Sequence, residues 1–147
     1  HGPGRGGDVR TVQEKDRARR CALASLRKAG LAMEFYEKSL AIDKRLGDQA
    51  GMARTLGNIG IIHKSQGRYA RAMEFHEKSL AIQKRLGDKA GIAITLYNMA
   101  GLAYKQRNLG LAIRYMKEAR DIFRSLGSPH VKVAEKNLRI LRRKAGR

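Results

Sequence analysis

Between Leu31 and Leu46 the apolar residues Ala32, Met33, Phe35, Tyr36, Leu40, Ile42 and Leu46 recur at spacings of 3, 4 and 7. That spacing predicts a helix with two adjoining apolar faces, which must meet both a hairpin partner and the next element along the chain. Polar positions keep the same rhythm, with Glu34 and Lys38 in the favourable i,i+4 order and Glu74 and Lys78 repeating it. Near the end, Val131, Ala134, Leu138 and Leu141 make a single stripe, while Lys132, Lys136, Arg139, Arg142, Arg143 and Lys144 lie elsewhere. One apolar face and one charged face is what a terminal capping helix needs. The first stretch is poorer: from Asp8 to about Lys28 only Val12, Cys21, Ala22, Leu23 and Leu26 are core candidates. An eroded or solvent-facing first helix is expected there.

The pattern is also periodic on a longer scale. Arg71 to Asp88 matches Leu31 to Asp48 at 15 of 18 positions. Ala50, Gly51, Ala53, Thr55, Leu56 and Asn58 return as Ala90, Gly91, Ala93, Thr95, Leu96 and Asn98. Gly7-Asp8, Gly47-Asp48, Gly87-Asp88 and Gly127-Ser128 stand 40 residues apart. A fixed period of this size marks stacked helical repeats rather than a domain with one central core.

The joints have a physical account. Gly enters the left-handed conformation after a helix without Cβ strain, and Asp accepts from the free N–H groups that open the next helix. The expected elements are a helix from Asp8 or Thr11 to about Lys28, a turn near Gly30, and helices over 31–46, 49–65, 69–86, 89–106 and 109–126. Thr11-x-x-Glu14 fits a capping box, which favours Thr11 as the start. A seventh helix opens with Ser128 as N-cap and Pro129 at its first position and runs to about Arg143. The organisation is then a flexible segment 1–7, repeats over 8–47, 48–87 and 88–127, and a basic capping helix over 128–147. His1-Gly2-Pro3 reads as a tag-derived scar or a fragment boundary.

Composition agrees with an all-α chain: Pro occurs only at Pro3 and Pro129, and strong helix formers fill the span between. The net charge is +19, and residues 89–147 hold 14 basic against 3 acidic groups. An anionic partner therefore has to be considered, against the alternative that the charge only solvates helix faces. A single cysteine, Cys21, allows no intrachain disulfide and gives no zinc spacing, which points to a reducing, cytoplasmic setting. No apolar run reaches the length of a membrane-spanning helix.

Within the second unit Leu56, Ile59, Gly60, His63, Gly67, Tyr69 and Ala72 occupy marker positions, and in the third these are Leu96, Met99, Ala100, Ala103, Arg107, Leu109 and Ala112. This resembles the tetratricopeptide repeat, in its 40-residue variety with a Gly-Asp joint and a Leu-Gly-Asn stretch, here Leu56-Gly57-Asn58. Gly60, Ala72, Ala100 and Ala112 are small where paired helices would cross closely. Two departures stand out: Arg20 occupies the small-residue position of the first unit, and Ser79 replaces an expected Ala.

The resemblance implies a right-handed α-solenoid of three helix-pair repeats plus a C-terminal capping helix, its first helices lining a concave peptide groove. Carried over by position, the groove residues of the second unit are Arg54, Gly57, Asn58, Ile61, Lys64 and Ser65. Those of the third are Ile94, Tyr97, Asn98, Gly101, Tyr104 and Lys105. An Asn amide offers a donor and an acceptor to a peptide backbone, Arg and Lys favour carboxylates, and Tyr gives contact area with a polar tip. The competing reading is that Asn58 and Asn98 bridge neighbouring helices and the tyrosines merely pack.

Catalytic constellations are not legible in the sequence. His63 and His76 lie on apolar stripes, His1 and His130 are isolated, and no P-loop or activated nucleophile is recognisable. Gly2, Gly4 and Gly7 formally satisfy G-x-G-x-x-G but follow no strand. The expectation is a non-enzymatic scaffold without cofactor or metal that binds an acidic or C-terminal peptide segment. Alternatives are nucleic-acid or polyanion binding through Lys132, Lys136, Arg139, Arg142, Arg143 and Lys144, or a non-autonomous fragment of a larger sensor or scaffold, able to self-associate.

Overall fold

The computed structural model describes the backbone of residues 4–146 and the side chains of residues 11–146. Readings that rest on residues 1–3, or on the side chain of Asp8, lie outside the described residues. The elements are α1 (Gly4–Leu46), α2 (Gln49–Ser65), α3 (Tyr69–Leu86), α4 (Lys89–Lys105), α5 (Leu109–Ser125) and α6 (Val131–Ala145). No strand occurs among the described residues. The chain divides into two units, residues 1–35 and 36–147.

In the larger unit α2 packs on α3, α3 on α4, α4 on α5 and α5 on α6, each helix chiefly on its sequence neighbours. This is an all-α solenoid. Its principal core runs from α3 to α6 through Ala72, Leu96, Met99, Ala112, Met116, Phe123, Ala134 and Leu138. A smaller cluster joins Ala53, Leu56 and Ile82, with Leu40, Met52 and Phe75 packed against it.

The joints show why the helices stop where they do. Positive φ values fall at Gly47, Gly67, Gly87, Arg107 and Gly127, one every 20 residues. At each, the following amide donates to a carbonyl five residues back: Asp48 to Asp43, Arg68 to His63, Asp88 to Gln83, Asn108 to Ala103 and Ser128 to Phe123, at 2.9–3.0 Å. A left-handed residue closed by this wide loop is the standard way to satisfy the last carbonyls of a helix. Asp48, Asp88 and Asn108 then accept from the amides of Gly51, Gly91 and Leu111 at 2.9, 3.0 and 3.1 Å, capping the next helix.

Three expectations need correction. The turn near Gly30 does not form, and α1 continues through it, so helix pairs number two among the described residues rather than three. The 20-residue spacing of the joints would put the left-handed residue at Arg27, where a Cβ costs about 1–2 kcal/mol. Residues 11–28 are all exposed, and Arg20 stands where Gly60 and Ala100 permit close crossing. Apolar burial is thus too small to offset such a turn. Nor does Thr11 open a helix: it lies well inside α1, where the backbone N–H groups already have carbonyl partners and a capping box has none left to satisfy. At the other end Ser128–His130 form a turn, with the Ser128 Oγ accepting from the His130 amide at 3.2 Å, and α6 starts at Val131. Ser128 caps that turn rather than the helix itself.

Candidate functional site

The predicted groove residues come from α2 and α4, which occupy equivalent places in successive pairs. Arg54, Gly57, Asn58 and Ile61 of α2 and Ile94 and Asn98 of α4 line one hollow of about 340 Å³. Its wall and floor are finished by α3, through His76, Ser79 and Gln83. Most of the floor's polar groups are engaged. Ser79 donates to the Ala53 carbonyl at 2.7 Å, which is why a serine is tolerated where alanine was expected. Thr95 donates to Gln83 at 2.8 Å, and both are buried.

What remains free in the hollow is informative. Arg54, Asn58 and Asn98 make no side-chain hydrogen bond among the described residues, so the alternative that the asparagines bridge helices finds no contact to support it. His76 is 1% exposed and neither ring nitrogen has a partner. Burial, and after it the Lys64 ammonium, lowers its pKa from 6.5 to about 4, so the ring is neutral at physiological pH. His76 seats against Gly60, where an added Cβ would come within 2.8 Å of Nε2.

The remaining groove candidates do not join this hollow. Lys64 extends toward Gly101, its Nζ 3.4 Å from where a Cβ on that glycine would stand. Ser65 turns back to donate to the Ile62 carbonyl at 2.7 Å. Tyr97 faces α6 and accepts from Asn137 Nδ2 at 2.9 Å. Tyr104 carries the Lys144 ammonium 5.5 Å from its ring centroid, and with Lys105, Arg107 and Leu109 it borders a further open hollow. The α6 residues Val133, Asn137 and Ile140 lie one step round the helix from the buried stripe Ala134, Leu138 and Leu141, on a face with too few apolar positions to signal itself in the sequence.

The basic residues of α6 are all exposed but do not form one cluster. Lys132, Lys136, Arg139 and Arg143 follow one another at helical spacing along one stripe. Lys144 belongs with Val133, Asn137 and Ile140 on a different stripe, and Arg142 lies apart from both. Of the neighbouring acids, Glu135 pairs with Arg124 at 2.8 Å.

His63 is buried and stacks on Phe75, centroids 5.2 Å apart. Its pKa is lowered, first by burial and then by Arg68 and Arg71. Among the described residues no group of His, Cys, Asp and Glu is arranged to hold a metal ion, and no helix is long and apolar enough to cross a membrane.

Residues 22–85 match the family model described as tetratricopeptide repeat. Among solved structures, BtubC (BKLC) from P. vanneervenii is similar in fold, with a TM-score of 0.70 and 24% sequence identity. That likeness covers 77% of this chain and 48% of the other, so the chain spans about half the length of that structure. Among curated proteins nothing matches the chain.

Proposed function

We propose that this chain, whose residues 22–85 match a tetratricopeptide-repeat model of a kind that generally mediates protein–protein interaction, holds an acidic or C-terminal peptide segment against α2 and α4. The observation that carries the reading is the hollow in which Arg54, Asn58 and Asn98 converge without partners. A carboxylate meets the guanidinium there, and the two amides offer paired donors and acceptors to an extended backbone. Ile61 and Ile94 at the margins supply apolar contact. In this reading the protein acts by binding rather than catalysis, within the cytoplasm, and the units 48–87 and 88–127 position the groove.

Fluorescence anisotropy with acidic peptides, each made with a free and with an amidated C-terminus, tests it. Arg54→Glu and the pair Asn58→Ala and Asn98→Ala should each weaken binding by more than the roughly 1 kcal/mol expected of a rim charge. Unchanged affinity in these variants refutes the reading.

A second reading has its own observation, the exposed stripe Lys132, Lys136, Arg139 and Arg143 on α6. It is binding of a polyanion, nucleic acid included. Titration of a mixed-sequence oligonucleotide at two salt concentrations should give a steep salt slope that flattens when the four are changed to Gln. No binding at low salt removes it.

A further inference from the structure

Helices α2 to α5 begin at joints of one repeating design, and three of the four close on a side chain. Asp48, Asp88 and Asn108 accept from the third amide of α2, α4 and α5. Arg68 holds the same place before α3 and makes no side-chain cap. The first amides of α3, on Tyr69, Ala70 and Arg71, are thus left without one. Those three residues line an open hollow of about 550 Å³ together with His63, Arg68 and Gln106. It shares no lining residue with the α2–α4 hollow.

A second observation at the same hollow is independent of the helix end. His63 lines it, is 7% exposed, and has its Nδ1 buried without a partner. Such an atom is costly unless something beside it completes its hydrogen bonding. Phe75 fixes the groups around it: the His63 ring stacks on Phe75 with centroids 5.2 Å apart, and the Arg71 guanidinium lies 5.3 Å from the same centroid. The local charge suits an anion. Arg68 and Arg71 both lower the His63 pKa, after burial itself, and among the described residues no acid lines the hollow. Glu74 pairs with Arg71 at 3.1 Å from outside the lining, on exposed side chains where such a pair is weak.

We infer that this hollow holds the phosphate group of a phosphate ester, its oxygens on the Tyr69, Ala70 and Arg71 amides and the Arg68 and Arg71 guanidinium groups, with His63 donating from Nδ1. A carboxylate places two oxygens and one charge, whereas a phosphate monoester places three oxygens and carries nearly two charges. The larger anion matches a helix N-terminus flanked by two guanidinium groups. Room remains for whatever carries the phosphate, a phosphorylated side chain or a small phosphate ester. The site goes beyond the peptide reading given for α2 and α4 and stands apart from it.

The test is an NMR titration of the full chain with inorganic phosphate, with a short neutral peptide carrying one phosphoserine, and with acetate, all at one ionic strength. Phosphate should move the Tyr69, Ala70 and Arg71 amides and the His63 ring, and acetate should need roughly tenfold more to do so. Tighter binding of the phosphoserine peptide than of phosphate identifies a phosphorylated side chain as the source, and no gain from the peptide identifies a small phosphate ester. Arg68→Asn copies the cap that Asn108 gives α5. It should weaken binding by roughly tenfold or more while the urea midpoint holds or rises. Glu74→Gln should strengthen binding severalfold by releasing Arg71. Still amides at Ala70 and Arg71, an equal response to acetate, or shifts spread over the basic stripe of α6 instead of this turn overturn the inference. Undiminished binding by Arg68→Asn overturns it as well. Because the titration reads the unaltered chain, a variant that folds poorly still leaves the question decided.

Discussion

At Arg107 an L side chain holds a backbone conformation that Gly47, Gly67, Gly87 and Gly127 hold at the equivalent joints. The conformation costs a Cβ-bearing residue about 1–2 kcal/mol, while glycine's extra freedom when unfolded returns part of that. Arg107→Gly should therefore raise stability by roughly 0.5–1 kcal/mol, and Gly87→Ala should lower it by a similar amount, both read from urea unfolding at constant slope. His76 sets a second test. Its folded pKa, about 4, lies below the unfolded 6.5, so the unfolded chain takes up the proton first. Stability is then whole above pH 6.5, falls as pH drops toward 4, and falls no further from this group below that. The loss should reach about 3 kcal/mol over the window, and His76→Met should flatten most of it. His63, lowered in the same direction, leaves a residual slope.

Between elements, the crossing of α2 on α3 and that of α4 on α5 are the same joint filled by different residues. Gly60 opposes His76 in the first, and Ala100 and Met116 stand 40 residues on, both buried. Gly60→Ala alone drives its Cβ into the imidazole and should destabilise by about 1–3 kcal/mol. Combined with His76→Met the cost should largely vanish, because the pair then repeats the second crossing and removes two unbonded ring nitrogens. A double-mutant cycle in urea unfolding reads the coupling directly. This substitution of one pair for another also shows what was legible in the sequence. The starts of α2 and α4 and the end of α3 followed from the Gly-Asp joints, the α2–α3 turn from Gly67, and small residues marked the crossings. Arg54, Asn58 and Asn98 were reachable from position in the repeat, since each faces away from its helix's buried stripe. The continuity of α1 through Gly30 was not, because a lone glycine signals a turn only where two apolar faces exist to be folded together. Val133, Asn137 and Ile140 were hidden for the opposite reason. Their stripe on α6 carries too few apolar residues to register as a face until Tyr97 and Phe123 are set beside it.

Across the whole molecule, stability should be graded rather than uniform, because each helix of a stacked array is held by its sequence neighbours. Residues 11–28 are exposed throughout and contribute nothing to either buried cluster. A helix with no buried face is marginal in water, so these amides should exchange with deuterium orders of magnitude faster than those of α4 and α5. The slowest exchange belongs at Met99, Leu102, Ala103 and Ala119, which are at most 1% exposed. Removing α6 gives the sharper test. Its Ala134, Leu138 and Leu141 are buried in the same cluster as Met116, Ala119 and Phe123, and truncation after Gly127 uncovers that surface. At roughly 25 cal/mol per Å² of apolar area, losing three buried side chains and the surface beneath them amounts to several kcal/mol. The truncated chain should unfold at markedly lower urea concentration, with faster exchange spreading first into α5 and only later into α2 and α3. Uniform acceleration along the chain would mean that the array folds as one cooperative block, and an unaltered midpoint would mean that α6 is appended to the core rather than part of it.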